Sequence, residues 1–283
     1  MRNNRLRVRF PALWFPAETA HARDMKTVTC SLAFLLCTKL LPAEPSPAAL
    51  AAFDTYVKNV DARLAAQHHT PGSFLAPVSA SDADRLRQGQ LIVERLTPST
   101  TAEFPGALLH HWRGTAFAPD AHAADFARLL RDFASYPQYF APDVIAAKVL
   151  TQDGDRIQAS LRVRQKHVIT VVMDTTYDVV FGRLDSRHGY STSRSTRIEE
   201  IDSPGTTAER PLSASEEHGF LWRLNTWWTW EERDGGLYLQ IEAVSLTRSL
   251  PALLGWAIRP YIESIPRESL EFTLSSARNA LRQ

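Results

Sequence analysis

Between Val144 and Thr247 the chain reads as five or six extended segments in succession, with almost no helical periodicity between them. They run roughly over Val144–Thr151, Arg156–Lys166, Ile169–Arg183, Gly189–Ile201, Gly219–Glu232 and Gly236–Thr247. Gln152-Asp153-Gly154-Asp155 and Arg233-Asp234-Gly235-Gly236 are hairpin signals, and residues 202–216 form a longer Pro/Gly/Ser loop. A run of strands joined this way is an antiparallel sheet, and it needs something apolar to cover one face. The candidates for that cover flank it. Pro119–Phe133 carries Phe126, Leu129, Leu130 and Phe133 at helical spacing and is broken by Ser135-Tyr136-Pro137. Leu250–Ile265 is apolar and interrupted by Pro251, Pro260 and Pro266, and Pro266 is placed to open a last helix with Leu270, Leu274, Ala277 and Leu281 on one face.

Upstream, Ala107–Ala118 reads as extended. Leu50, Phe53, Val57, Val60 and Leu64 recur at three- and four-residue steps, which predicts an amphipathic helix ending near His68–Gly72. A short helix is expected at Asp82–Gln88 and a strand at Gln90–Leu96.

Alternation assigns the faces. On Ile169–Arg183, Val171, Met173, Thr175, Tyr177, Val179 and Phe181 share one side and Asp174, Thr176 and Asp178 the other. Arg162 on the preceding strand is expected across from Asp174 on the outer face, as a solvated pair that sets register. In GFLWRLNTWWTWEE, Phe220, Trp222, Leu224, Thr226, Trp228 and Trp230 line one face and Arg223, Asn225, Trp227 and Thr229 the other. So much rigid aromatic surface serves equally as a filled core or as the wall of a cavity for a flat or long apolar ligand.

The order strand, helix, antiparallel strands, long C-terminal helix predicts an α+β fold. Over about residues 107–282 it resembles the SRPBCC (START-like, birch-pollen-allergen-like) helix-grip superfamily. The most telling local stretch is FARLLRDFASYPQYFAP at Phe126–Pro142, which is similar to the helix and Tyr-Pro turn before the second strand of coenzyme Q-binding and polyketide-cyclase-like members. The resemblance implies a strongly bent antiparallel sheet of about six to seven strands wrapped on a long C-terminal helix, here with an extra N-terminal helix. It also implies a hollow sheet–helix groove that holds a hydrophobic small molecule or lipid. The cavity-lining candidates are then Met173, Thr175, Tyr177, Phe181, Phe220, Trp222, Leu224, Thr226, Trp228, Trp230, Leu239, Ile241, Leu270 and Leu274.

The N-terminus bears on where such a protein works. Met25–Ala43 (MKTVTCSLAFLLCTKLLPA) has the positive, apolar, small-residue layout of a secretory signal, and its apolar run is short for a membrane span. Residues 1–43 are therefore expected to be an over-extended start plus signal peptide, residues 44–106 an N-terminal helix and extension, and residues 107–283 the ligand-binding domain. Both cysteines, Cys30 and Cys37, fall in the leader, so the mature chain would hold no disulfide or thiolate site. Cleavage would leave 25 Lys+Arg against 29 Asp+Glu, and nothing in that balance points to nucleic acid. The expected location is periplasmic or secreted.

Signals for chemistry are sparse. His68-His69 and His110-His111 are adjacent pairs, and neighbours on a strand point to opposite faces, so neither chelates one metal. No HExxH, Gly-x-Ser-x-Gly, P-loop or G-x-G-x-x-G occurs. Arg187, Arg194 and Arg197 alternate with Ser and Thr and read as a solvated strand. Residues 251–265, with Trp256 and Tyr261, read as a connector over the core or as a patch touching membrane. The expectation is a non-catalytic binding protein with no cofactor and no metal. Its alternatives are a cyclase/aromatase-like enzyme drawing on Tyr177, Asp174 or His167, and an envelope module with a filled core.

Overall fold

The computed structural model describes residues 44–98, 104–166, 170–249 and 252–282, with side chains of the last segment described from Ser264 onward. The signal-peptide segment and His167 lie outside the described residues, as do most side chains of 251–265. Helix α1, Pro47–Gln67, starts where Ser46 Oγ accepts the Ala49 N–H at 3.1 Å and Pro47 pre-sets the first turn. Helix α2, Ala80–Arg87, is capped in the same manner by Ser79. Strand β1 is Ile92–Arg95 and β2 is Ala107–Pro119. Helix α3, Ala123–Arg131, leads through a 3-10 turn at Phe133–Ser135 into the one-turn helix α4, Tyr136–Tyr139.

The predicted strand run follows: β3 Val144–Asp153, β4 Arg156–Lys166, β5 Thr170–Arg183, β6 His188–Asp202, the two-residue β7 Arg210–Pro211, β8 Arg223–Arg233 and β9 Gly236–Arg248. Helix α5, Ala252–Ala280, closes the described chain. It runs through Pro260 and Pro266 without a break, so Pro266 does not open a helix as its position in the sequence suggested. Each proline costs the helix one backbone hydrogen bond, and the rest of a 29-residue ladder tolerates that loss.

All strands are antiparallel in one open sheet, ordered β1-β2-β9-β8-β6-β5-β4-β3, with β7 pairing on β6. From β2 onward the first strand lies beside the last and the others follow in reverse, with a helix after the final strand. That is the helix-grip element order. The sheet has nine strands where six to seven were expected. β1 lengthens it by pairing with β2 (Val93 opposite Gly114), and β7 is a short addition at Ile201 and Asp202. Hairpin turns fall where the Asp-Gly and Gly-Gly signals stood.

Both faces of the sheet centre are covered. On the inner face α3 and α5 bury Phe126, Leu130, Leu270, Leu274 and Ala277 against Ala116, Trp230, Leu239 and Ile241. On the outer face Phe53, Val57, Val60 and Leu64 of α1 pack on Leu109, Trp222, Trp227, Val244 and Leu246. Each such side chain contributes roughly 1.5–3 kcal/mol by burial, as an upper figure. Beside them α2 brings Leu86 onto Phe117 and Tyr238.

The outer contact also has a polar spine. Trp227 Nε1–H donates to Asp61 at 2.9 Å, and Arg63 reaches the buried Glu242, which His111 Nε2 meets at 3.0 Å. Tyr56 Oη lies 2.7 Å from His111 Nδ1. Burial pushes the Glu242 carboxyl up, but hydrogen bonds from His111 and Arg63, with the Arg63 charge, outweigh it and hold the group at about 2.

Candidate functional site

Registers of the sheet sort the inward residues into rows across the strands. The first row is Gly189, Trp230, Leu239 and Ala116. The second is Phe181, Ser191, Trp228, Ile241 and Gly114. The third is Val179, Ser193, Thr226, Ala243 and Trp112, and the fourth has Leu224, Ser245 and His110.

The first row is filled. The Trp230 ring lies across Gly189, where an added Cβ would come within 2.4 Å of it, and Phe126 of α3 packs edge-on to Trp228 and Trp230 at 5.2 and 5.3 Å. Leu270 and Leu274 of α5 seat on Gly114, where an added Cβ would stand only 3.2 Å from each of them. In the third and fourth rows the floor carries Ser193, Thr226, Ala243 and Ser245. These side chains are too short to reach the helix layer, so a space remains.

That space is a cavity of about 290 Å³. Leu130, Phe133, Tyr136 and Phe140 of the α3–α4 region form one wall, and Ile265, Pro266, Ser269, Leu270, Phe272 and Thr273 of α5 form the roof. Leu161, Val163 and Gln165 of β4 and Met173, Tyr177, Val179 and Phe181 of β5 form the far side. Phe220 and Leu221 stand at one end, before β8 begins.

Nine of the fourteen sequence-predicted residues line this cavity: Met173, Tyr177, Phe181, Phe220, Leu224, Thr226, Trp228, Ile241 and Leu270. Trp230, Leu239 and Leu274 face the same way but belong to the packed core at its closed end. Thr175 is also inward and buried, and its hydroxyl donates to Leu161 O at 3.0 Å.

Trp222 is on the other face, in the cluster under α1. Strict alternation from Phe220 fails because the strand begins at Arg223, not Gly219. Gly219 takes a positive φ of 75°, and Trp222 N–H donates to Leu246 O while Arg223 is itself paired with Leu246. Two residues thus stand opposite one, a bulge that puts Trp222 and Arg223 on the same side and shifts the phase between Leu221 and Leu224.

The alternation of β6 was legible but its inward members were passed over. Ser191 and Ser193 sit between the arginines of RHGYSTSRSTR and form the floor. The arginines face out and are occupied: Arg187 donates to Glu232 O, Arg194 to Asp61 and Arg197 to Glu199. Arg162 holds Asp174 through two hydrogen bonds of 2.7 Å and also binds Glu209, so Asp174 is an outer-face partner and no part of the cavity. His110 and His111 do split between faces, toward Thr247 and toward Glu242.

Within the cavity, burial pushes the Tyr177 hydroxyl up to about 12 and raises that of Tyr136, which donates to Leu130 O at 2.8 Å. Both phenols are therefore neutral donors at physiological pH. Close to the Phe220 end, Glu200 accepts the N–H groups of His218, Gly219 and Phe220. The neighbouring Glu217 carboxyl is pushed up to about 7, first by burial and then by the Glu200 charge.

No family profile and no curated protein matches the sequence. Among solved structures, the chain is similar to a STAR-related lipid transfer protein fragment from Xanthomonas axonopodis. Identity is 18%, the match covers 68% of this chain and 99% of that one, and the TM-score is 0.41. A START superfamily protein from Mycobacterium smegmatis matches at 13% identity over 62% of this chain and 97% of that one, with a TM-score of 0.38. The Zhui aromatase/cyclase from a Streptomyces species matches at 12% identity over 62% and 94%, with a TM-score of 0.41. The helix-grip reading of this chain stands on its own strand order and helix placement.

Proposed function

We propose that this protein binds a hydrophobic small molecule or a single lipid chain in the cavity between its sheet and α5, and that it does so without catalysing a reaction. The observation that carries the reading is the hollow in the inner core. A closed end packed by Trp230, Leu239, Leu274 and Phe126 gives way to about 290 Å³ of space walled mostly by apolar side chains. That volume stands at the lower end of the roughly 300–1,000 Å³ typical of ligand sites. In this reading the sheet bends around α5, and the cavity is what remains where the floor residues are short.

The same space argues for binding over acid–base chemistry. An enzyme needs converging titratable groups near their working pH. Here the phenols of Tyr136 and Tyr177 are held neutral, Asp174 is turned to the outer face, and part-exposed Asp143 is the one carboxylate in the lining. We further propose export to the periplasm or the medium. What supports it is the layout of Met25–Ala43 in the sequence. No described helix is long and apolar enough to cross a bilayer.

The test is native mass spectrometry of the full chain purified from an exporting host, with organic extraction of whatever accompanies it and an apolar-dye titration of the emptied protein. A co-purifying apolar molecule, or stoichiometric dye uptake, supports the reading. A protein that arrives empty and takes up no dye sinks it.

A further inference from the structure

Among the described residues, the buried Ser and Thr hydroxyls away from the cavity have partners. Thr175 donates to Leu161 O, Ser195 Oγ accepts the Leu224 N–H, Thr115 accepts from Gln240 and Thr229 meets His68. Such pairing is the rule for buried polar groups, because an unmade hydrogen bond leaves its desolvation penalty uncompensated. The cavity floor departs from it. Among the described residues no hydrogen bond engages the hydroxyls of Ser191, Ser193, Thr226 or Ser245, and all four line the cavity. Ser193 and Thr226 stand directly opposite each other on β6 and β8. Ser191 is one inward step along β6 from Ser193, and Ser245 is one inward step along β9 from Ala243, which faces Thr226. Four open donor-acceptor groups thus form one patch on the floor, facing walls and a roof that are mostly apolar, with Gln165, Ser269 and Thr273 as polar exceptions.

Charge defines the rest of the specification. Among the described residues the lining contains no Lys, Arg or His, and part-exposed Asp143 is its one carboxylate. A buried anionic headgroup would therefore lose its hydration without gaining a counter-charge, a cost of several kcal/mol.

We infer that the floor hydroxyls read the oxygen-bearing edge of a neutral ligand, such as a carbonyl, quinone or hydroxyl on a compact apolar frame. The inference rests on the binding reading above and narrows its ligand to a class. Hydroxyls suit this role because each rotates to donate to a carbonyl or to accept from an alcohol. Simple hydrocarbon chains satisfy the walls but leave the floor unpaired. Anionic amphiphiles can reach the floor hydroxyls but find no cation in the lining.

The test compares three probes on one frame: anthracene, 9,10-anthraquinone and anthraquinone-2-sulfonate. The full chain is titrated with each by isothermal calorimetry and by quenching of tryptophan emission, since Trp228 is in the wall. Anthraquinone is expected to bind about tenfold tighter than anthracene, the gain of one or two net hydrogen bonds. The sulfonate is expected to bind at least tenfold more weakly than anthraquinone. The double substitution Ser193→Ala with Thr226→Val should bring the anthraquinone-to-anthracene ratio close to one while anthracene affinity stays within about twofold. Ser245→Ala, a lighter change, should lower the ratio in part if the double variant folds poorly. A ratio near one in the unmodified protein, as expected if the hydroxyls hold only water, overturns the inference and leaves the cavity reading standing. So does a ratio that survives the substitutions. If no probe of any kind binds, the cavity reading fails and the inference falls with it.

Discussion

Ala243→Leu separates a hollow floor from a filled one. Ala243 stands in the third row between Thr226 and Trp112, facing the cavity of about 290 Å³. Leucine adds three carbons at that point. Each methylene-sized group moved out of water is worth about 0.8 kcal/mol, and fixing the new side chain costs roughly 0.5–1 kcal/mol of rotamer entropy. A net gain near 1.5 kcal/mol follows, which for a chain of this size raises Tm by about 3–6 °C. Ala116→Leu is the control. Ala116 is fully buried in the first row against Leu239, where no space remains. The same three carbons there must displace packed neighbours, at a cost of about 1–3 kcal/mol. One chemical change therefore has opposite signs at two positions of one strand pair. Thermal and urea denaturation of the full chain measure both, and uptake of an apolar dye should fall for Ala243→Leu alone. Equal destabilisation by the two would show that the third row is not hollow, and the row argument would be refuted.

Four other outcomes follow from particular contacts. Trp230→Ala should cost about 3–5 kcal/mol, and Gly189→Ala about 1–3 kcal/mol because its Cβ would intrude on the Trp230 ring; urea midpoints with an unchanged m-value check both. Glu217 has a folded pKa near 7 against an ordinary 4.5, so the native state binds more protons and the contribution present below pH 4.5 is lost as pH rises through 7. Glu217→Gln should accordingly raise Tm over the unmodified chain at pH 8 and not at pH 4, and a pH-independent difference would contradict the assignment. His68 has the opposite sense. Burial and then the Arg63 charge lower its pKa from 6.5 to about 4, so stability present above pH 6.5 is lost as pH falls toward 4. His68→Phe should flatten that part of a Tm–pH profile while keeping the stack on Tyr190, now 4.6 Å between centroids.

Element order and facing were readable because both come from local pattern. Turn formers at Gly154 and Gly235 fixed two hairpins, and period-two alternation on Thr170–Arg183 put Met173, Tyr177 and Phe181 inward and Asp174 outward, as the structure has them. Local pattern also predicted α1 from Phe53, Val57, Val60 and Leu64, but not where it docks. That depends on Leu109 sharing an outer face with Trp222, Trp227 and Val244, and β2 is far in the chain from the β8–β9 hairpin region that supplies the other three. The misplacement of Trp222 has the same origin. A bulge opposite Leu246 costs one residue of phase, and neither Gly219 nor its neighbours announces it without the partner strand.

The cavity itself is a property of rows, and rows need register. Trp230 and Thr226 point the same way on β8, so alternation alone ranks the tryptophan as the better cavity wall. Register reverses that ranking. Trp230 falls in line with Gly189 and Ala116, where a large ring is needed to fill the gap that small neighbours leave. Thr226 falls in line with Ser193 and Ala243, where small residue meets small residue on three adjacent strands and nothing spans the distance to α5. Large beside small gives a packed layer, whereas small beside small gives a void. That three such residues coincide in one row, two of them with open hydroxyls, is why the void carries a polar patch on its floor. A filled core of the same area would be expected to set large residues beside small ones throughout, as the first row does at Trp230 and Gly189 and at Leu239 and Ala116.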